Sequence, residues 1–521
     1  MRPRAPLTVF VAAVLLLVPA LAGAHSERSL ESLARGGSVP DPDRAPSMVL
    51  DVCKTGECDY EDIQAAVNDA TDGALIRIWP GLYEELPSRA APDYSPPPAS
   101  GDYLGLGIEG DYGGGMSFED QLAYPNAVNL VAILGKHDIT LRGMGDDPGD
   151  VVIDVAFAKH VGIRADRADG VVFQNFQVWH AVEHGVYAMD LDGAWLDHVG
   201  GFYSGEYELF YYAMDHGVMR DCEAVGGGDS GIYIGGSPVT PGRFTTEVAD
   251  CWSHHNVLGY SGTQGNYVWV HDNLFEDNAI GLVSDSETDH PNYPQRGSVL
   301  ERNVFADNDF DVYDGDCSDG WCSDVAPEAI EGVVFPVGTG VFFPGNNDNT
   351  LEDNVFVRNP RAAVWLASGQ GVVIGPTSDP AAPPFVSSGN RFLGNSLVDN
   401  GVDFMWDGLG VGNCWEGNER SDDAEPTTDG AILPPCSVAG ADLPATASAP
   451  NPGNAAAQAG LLIVEGPDGS RPACHYTGTT PCGGDHDVAT WPTVARNRAA
   501  GYVPPPTPPS CGPSDDATCW S

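Results

Sequence analysis

Carboxylates and histidines gather between residues 183 and 255 of this chain. Glycoside hydrolysis needs two carboxylates set apart for acid and base roles, and a histidine can move protons near neutral pH. We therefore identify four candidate catalytic residues: His184, Glu208, Asp215 and Asp229. The chain holds 74 acidic residues, so such groupings also arise by chance, and the stretch carries no sharp catalytic motif.

Aromatic residues crowd the same stretch, in WLDHVGGFYSGEYELFYYAMD (195–215). Exposed Tyr and Trp rings beside carboxylates can form a carbohydrate platform, because sugar C–H faces stack on rings while hydroxyls bond acids. The expected carbohydrate-binding residues are Tyr187, Trp195, Tyr207 and Tyr211. The alternative is that these rings stack in the core.

A third group is the run of aspartates in DNDFDVYDGDCSDGWCSD (307–324). Alternating aspartates suit Ca²⁺, a hard cation that takes several oxygen ligands. The turn glycine and closing glutamate of an EF-hand loop are missing at their offsets. The sequence thus predicts a calcium site of another kind, and no other cofactor, at Asp307, Asp309, Asp311, Asp314 and Asp316.

The elements that must position these residues are set by a short pattern that recurs from about 171 to 418. Its corner column runs through Phe176, His198, Cys222, Cys251, Asn273, Asn303, Asn354 and Asn395, and the steps between the first six are 22 to 30 residues. A period in this range indicates a solenoid. Short apolar strands with Gly, Asp and Asn corners cannot bury a face alone, but they bury a continuous core when stacked.

Stacking at a strand spacing of about 4.8 Å makes two predictions. The four asparagines of the column, Asn273, Asn303, Asn354 and Asn395, should form a ladder of amide hydrogen bonds. Cys222 and Cys251 occupy the same column in adjacent repeats, so their Cα atoms should lie about 5 Å apart, within disulfide range.

This repeat resembles the right-handed parallel β-helix of the pectin-lyase-like superfamily, in its NosD-like form. DIQAAVNDATDGALIRIWPGLYEE (62–85) resembles that superfamily's N-terminal cap, in which an amphipathic helix precedes the first strand. The resemblance implies an all-β chain: a right-handed parallel β-helix solenoid with an N-terminal capping helix. It is similar to secreted actinobacterial β-helix-repeat proteins of unassigned activity. WLDH (195–198) also resembles a pectate lyase stretch, although Asp197 and His198 lie at the repeat's own corner.

The ends of the chain differ from the repeat. Arg2 and Arg4, an apolar run and Ala22-Gly23-Ala24 predict a signal peptide at 1–24, cleaved near Ala24, and hence a secreted, extracellular protein. We expect a flexible leader at 25–48, the β-helix at 49–418 with a loop insertion at 84–125, and a poorly ordered Pro/Ala/Gly-rich tail at 419–521. No other apolar run approaches the length of a membrane span.

Twelve cysteines fit an oxidising compartment and predict disulfides more readily than a zinc site, which favours paired CxxC spacings. Besides the pair already named, the expected bonds are Cys53–Cys58, Cys317–Cys322, Cys414–Cys436, Cys474–Cys482 and Cys511–Cys519. The bonds nearest the end of the chain would cross-link the tail.

The formal net charge of −50 argues against a nucleic-acid partner, since phosphate contacts need Lys and Arg. The expected partner of this presumed monomer is a polysaccharide or cell-envelope glycan. Three functions stay open. The first is carbohydrate binding or cell-envelope association. The second is a polysaccharide lyase, C5-epimerase or glycoside hydrolase working along the flank of the helix, and the third is a structural or adhesive surface protein.

Overall fold

A computed structural model describes residues 30, 32–85, 118–286, 291–309, 337–367, 386–406, 410–420, 425–427 and 433–438. These residues form a coil in which every strand pair is parallel. The strands belong to one 21-stranded sheet, described below as its two faces, sheets 1 and 2, and to one 11-stranded sheet, sheet 3. The fold is the expected right-handed parallel β-helix, capped at its start by a helix.

Strands are numbered in chain order. Sheet 1 contains β1 (Met48–Val52), β2 (Ala74–Ile78), β5 (Thr140–Gly143), β8 (Val171–Trp179), β10 (Asp192–Phe202), β12 (Asp215–Arg220), β15 (Thr246–Ala249), β18 (Val268–His271), β21 (Val299–Glu301), β24 (Thr350–Glu352), β27 (Arg391–Leu393) and β30 (Cys414–Glu416).

Sheet 2 contains β3 (Gly81–Tyr83), β6 (Val151–Asp154), the second halves of β8 and β10, β13 (Glu223–Val225), β16 (Trp252–His254), β19 (Leu274–Glu276), β22 (Val304–Ala306), β25 (Val355–Val357), β28 (Ser396–Val398) and β31 (Glu419–Arg420). The long strands β8 and β10 pass from sheet 1 into sheet 2 without a break.

Sheet 3 contains β4 (Asn129–Leu134), β7 (Val161–Asp166), β9 (His184–Met189), β11 (Tyr207–Tyr212), β14 (Ser230–Gly235), β17 (Leu258–Ser261), β20 (Ile280–Val283), β23 (Thr339–Pro344), β26 (Ala362–Ala367), β29 (Val402–Trp406) and β32 (Glu425–Thr427). The coil therefore extends from Met48 to Thr427 in the described residues, slightly beyond the predicted 49–418.

Helix α1 (Ile63–Asp69) closes the first turn of the coil. Its apolar side, with Ile63 and Val67, enters the core. The side chain of Gln64 bonds both backbone groups of Ala132 on β4, at 2.5 Å to the N–H and 3.2 Å to the carbonyl, and so occupies part of the open edge of sheet 3. A second helix, α2 (Phe118–Ala123), precedes β4.

The interior is filled by side chains that repeat from turn to turn. Phe275, Phe305 and Phe356 stack in file, with ring centroids 5.2 and 5.0 Å apart and nearly parallel planes, and Leu397 continues the column. All four are fully buried. Identical residues at one repeat position therefore build a single continuous core.

Asparagine ladders line all three corners. In the predicted ladder, Asn273, Asn303, Asn354 and Asn395 each donate Nδ2–H to the Oδ1 of the next asparagine at 2.9–3.0 Å, and Asn418 ends the file. The second ladder joins Asn256, Asn278, Asn308, Asn359 and Asn400. The third joins Gln295, Asn349, Asn390 and Asn413.

The residue before each ladder asparagine adopts a left-handed backbone conformation, as at Asp272 (φ 56°) and Asp353 (φ 54°). Asp and Gly tolerate this region better than bulky residues, which explains the recurring Asp-Asn and Gly-Asn pairs. The predicted column is wrong by one residue at His198: Gly200 pairs with Glu223, so Val199 aligns with Cys222. His198 itself occupies the left-handed corner position (φ 53°).

Three of the predicted disulfides fall within the described residues and are present. The Cα atoms of Cys222 and Cys251 are 4.4 Å apart, those of Cys53 and Cys58 are 5.6 Å apart, and those of Cys414 and Cys436 are 4.7 Å apart. The pairs Cys317–Cys322, Cys474–Cys482 and Cys511–Cys519 lie outside the described residues.

The segment expected to be a flexible leader lies instead along the coil. Arg35, Gly37 and Arg44 bond carboxylates on successive turns, and Arg142 donates to the carbonyl of Pro42. The prediction failed because these contacts join residues about a hundred or more positions apart, which local composition does not reveal.

Candidate functional site

The outer face of sheet 3 carries a cluster of titratable and aromatic side chains, here called the sheet 3 site. Its turns are equal in length: Tyr207 pairs with His184 on one side and Ser230 on the other, and both steps are 23 residues (207 − 184 and 230 − 207). Equal steps place chemically related residues in columns. The site consists of His160, Arg164, Glu183, His184, Glu206, Tyr207 and Asp229.

One column lies just before the strands of sheet 3 and carries His160, Glu183, Glu206 and Asp229. Backbone hydrogen bonds of 2.9 Å link each of the last three to the residue one turn earlier. His160 Nδ1 lies 2.5 Å from Glu183 Oε1, and the Tyr207 hydroxyl donates to Asp229 Oδ2 at 3.5 Å. The column thus stacks three carboxylates and an imidazole on consecutive turns.

A second column runs beside it through His184 and Tyr207. Their rings stack with centroids 5.3 Å apart and planes 12° from parallel, and His184 Nδ1 lies 3.4 Å from Glu206 Oε2. Further along the strands, Tyr187 stacks on Phe210 with centroids 4.5 Å apart. The sheet 3 site therefore combines proton-transfer groups with ring faces.

Positive charge is present at Arg164. Its guanidinium lies 5.2 Å from the Tyr187 ring centroid and donates to Asp166 at 2.9 Å. Burial lowers the pKa of His184 well below 6.5, and the charges of Arg164 and His160 lower it further. At neutral pH His184 is therefore an uncharged imidazole.

Most of the site is buried. His184 is 0% exposed, Tyr207 1% and Glu206 4%, whereas Asp229 is partly exposed. Of the predicted residues, the structure brings together His184, Asp229, Tyr187 and Tyr207. The expected open platform of rings is not present among these residues, because their outer faces are covered.

Two of the predicted residues lie inside the coil. Tyr211 belongs to the interior core, where its hydroxyl donates to the carbonyl of Val218 at 3.3 Å. Glu208 is fully buried and accepts from the N–H and the hydroxyl of Ser204 at 2.6 and 2.8 Å. Desolvation raises the pKa of Glu208 to about 8. Neither side chain is placed to contact a glycan outside the coil.

The other two predicted residues belong to sheet 1. Both oxygens of Asp215 accept from Arg243, at 2.6 and 2.7 Å, and one also accepts from the backbone N–H of Arg35. Trp195 packs with Val39 and lies 5.5 Å below the Arg220 guanidinium. Both residues serve contacts within the protein and do not belong to the sheet 3 site.

Sequence reasoning missed His160 and Arg164. The signal that identifies His160 is the spacing of 160, 183, 206 and 229, which is 23 residues at each step. It is obscured because later turns are longer, as between Asn303 and Asn354. Arg164 shares its outward position with Tyr187 and Phe210 on the next turns.

The predicted calcium site is only partly within the described residues, which include Asp307 and Asp309 but not Asp311, Asp314 or Asp316. Asp307 is engaged by Arg358, whose Nε donates at 2.6 Å. A cation would have to compete with this guanidinium for Asp307, so the described part fits calcium poorly. Calcium binding stays a prediction.

One other group could ligate a metal: Asp197, His198 and Asp221, whose ligand atoms lie within 4.8 Å of one another in the described chain. His198 Nδ1 bonds Asp197 at 2.7 Å, and this bond raises the pKa of His198. The geometry therefore suits a hydrogen-bonded His–Asp pair.

Comparison with known protein families agrees with the fold. Residues 162–378 match the family model described as right handed beta helix region. No curated protein sequence matches the chain. No helix among the described residues is long and apolar enough to cross a membrane.

Solved structures that are similar to this chain include pectate lyase Pel9A, at 12% identity over 74% of this chain and 79% of that one, with a TM-score of 0.39. Alginate lyase from Paenibacillus sp. str. FPU-7 matches at 13% identity, 73% and 97% coverage and a TM-score of 0.36. The A-module of mannuronan C-5 epimerase AlgE4 from Azotobacter vinelandii matches at 11% identity, 72% and 93% coverage and 0.38.

At these values the neighbours carry no information about the activity of this chain. The stacked strands, the corner ladders and the family match agree with one another. The chain folds as a right-handed parallel β-helix, and its residues 162–378 match the family model of that coil.

Proposed function

We propose that this protein is exported and binds a polysaccharide, and that the sheet 3 site transfers protons on a uronate sugar of that polysaccharide. The observation that carries the proposal is the neutral imidazole of His184, stacked on Tyr207 and 3.4 Å from Glu206. A neutral imidazole beside a phenol and a carboxylate supplies both a proton acceptor and a proton donor.

The roles follow from the charges. His184 accepts the proton on the carbon beside the uronate carboxylate, and the Tyr207 hydroxyl donates to the oxygen or carbon that gains one. Arg164 supplies positive charge beside the same rings and stabilises a negative sugar carboxylate. Three disulfides support an oxidising, extracellular setting.

Hydrolysis is the alternative reaction at the same site. Glu183 and Glu206 lie on adjacent turns, whose backbones are about 4.8 Å apart, and retaining glycosidases hold their carboxylates roughly 5–5.5 Å apart. A different candidate function, a structural coil that binds no glycan, is favoured by the burial of His184 and Tyr207.

The test is an assay of the purified protein on a panel of uronate and neutral polysaccharides. Unsaturated products report elimination, reducing ends report hydrolysis, and equilibrium binding reports recognition without reaction. We expect unsaturated or epimerised product from a uronate polymer. His184→Ala should lower the rate about 100-fold or more, the usual contribution of a general base.

The matched control is His180→Ala. His180 bonds Asp154 at 2.9 Å on sheet 2 and belongs to no part of the sheet 3 site. It should leave the rate unchanged. Equal losses in the two variants would assign the effect to general destabilisation, and the absence of product and binding on every polymer would favour the structural coil.

A further inference from the structure

A segment near the start of the chain lies across the first turns of the coil. Residue 30 and residues 32–47, here called the strap, run from β1 past Asp138, Asp169, Asp192 and Asp215, which lie on successive turns. Because the strap passes across the strands, it bonds side chains at the corner between sheets 3 and 1 and extends no sheet.

Arg35 is the centre of this contact. Its guanidinium bonds the Asp190 carboxylate and lies 3.6 Å from Asp169, and its backbone N–H donates to Asp215 at 2.7 Å. The N–H of Gly37 donates to Asp192 at 2.9 Å. Arg35 and Gly37 of the strap thus hold four carboxylates of the coil.

The beginning of the strap reaches the outer aromatic cluster of sheet 3. Leu30 packs against the outer cluster of sheet 3 that contains Tyr187, Tyr207 and Phe210. The carbonyl of Ser32 accepts from Asn292 at 2.8 Å. The strap therefore packs on the aromatic cluster to which Tyr187 and Tyr207 belong.

Parts of the strap have the exposure expected of a segment that opens locally. Leu33 is 64% exposed, and residues 34 and 36–38 are exposed as well. The guanidinium of Arg35 is anchored to the partly exposed carboxylates of Asp190 and Asp169, and such ion pairs are individually weak and screened by salt. Asp215, which accepts from the Arg35 N–H, is buried. Few buried apolar contacts and exposed backbone are properties of segments that open locally.

We propose that the strap is an autoinhibitory segment that closes the sheet 3 site, and that release of Arg35 from Asp190 opens the site to a polysaccharide. The inference rests on the proposed function, because it assigns regulation to the same site. Displacement moves Leu30 off the rings and leaves the coil itself intact.

The test uses the full chain with Arg35→Ala and, as matched control, Arg44→Ala. Arg44 is the other arginine of the strap, and it bonds Asp138 at 2.8 Å, away from the sheet 3 site. Three quantities are measured: hydrogen exchange of residues 32–38, the rate of chemical modification of His184 by an imidazole reagent, and binding to the polysaccharide panel.

Loss of a charge-assisted hydrogen bond should raise exchange and His184 modification about tenfold in Arg35→Ala and much less in Arg44→Ala. Binding should rise by a similar factor. Faster exchange with unchanged His184 modification would overturn the inference, as would equal glycan binding by the wild type and Arg35→Ala. Faster modification without binding to any polymer would instead show that the proposed function, and the inhibition with it, is wrong.

Discussion

At the scale of single residues, the structure contains a carboxyl group where solvent does not reach. Glu208 lies inside the corner between sheets 2 and 3, and its oxygens accept from Ser204 alone among the contacts described. Burial raises its pKa to about 8, so the side chain keeps its proton at neutral pH. A protonated carboxyl can donate as well as accept, which suits an interior position.

Glu208 should make stability depend on pH. Its folded-state pKa is raised from 4.5 to about 8, so between these values the folded protein binds a proton that the unfolded chain has lost, and stability falls as pH rises. Glu208→Gln should therefore melt at a higher temperature than the wild type at pH 8, and nearly together with it at pH 4. Melting curves across this range test the expectation, with exposed Glu352→Gln as control.

At the scale of elements, the corners are held by asparagine side chains. Asn354 Oδ1 accepts from the backbone and side chain of Asn303 at 2.9 and 3.0 Å, and its Nδ2 donates to the carbonyl of Leu300 at 2.8 Å. Each amide satisfies backbone groups that the turn leaves without a strand partner. The ladder amides thus make the hydrogen bonds to these backbone groups that water would make at an exposed turn.

Asn354→Ala should lower the free energy of unfolding by about 3 kcal/mol, since each buried polar group left without a partner costs roughly 1–3 kcal/mol. The measurement is chemical denaturation. Asn418→Ala is the matched comparison, because Asn418 ends the same ladder, is only partly buried and can be replaced by water. Losses of equal size at the two positions would contradict the idea that burial sets the cost.

At the scale of the whole molecule, stability is spread along the coil, because each turn contacts chiefly its neighbours. The Cys222–Cys251 bond joins two adjacent turns near the middle of the described coil. Replacing both cysteines with alanine should cost about 3–4 kcal/mol by the chain-entropy estimate for a 29-residue loop. The Cys53–Cys58 pair closes a 5-residue loop, so its removal should cost only about 2 kcal/mol.

Denaturation followed on both sides of Cys222–Cys251 measures this difference. If the Cys222–Cys251 bond couples the two halves of the coil, its loss should split the single unfolding transition into two. Loss of Cys53–Cys58 should leave a single unfolding transition. An unchanged single transition in both variants would show that the ladders and the core carry the coupling alone.

The period of the sequence was sufficient to predict the coil, the asparagine file and the Cys222–Cys251 contact, because each depends only on which residues share a column. It was not sufficient to predict which side of a strand faces outward. At Tyr211 and Glu208 the short corners shift the alternation, and both side chains turn inward. The strap was unpredictable for another reason: Arg35 and Asp215 are 180 residues apart in sequence.

The equal 23-residue turns between His160 and Asp229 affect how such a protein can evolve. A unit of this length, such as residues 183–205, begins and ends at matching points of the coil, so copying or losing it would leave both neighbouring turns with a suitable surface to stack on. Duplication would lengthen the row of acid and ring side chains by one step. The length of that row would then be inherited as a repeat count.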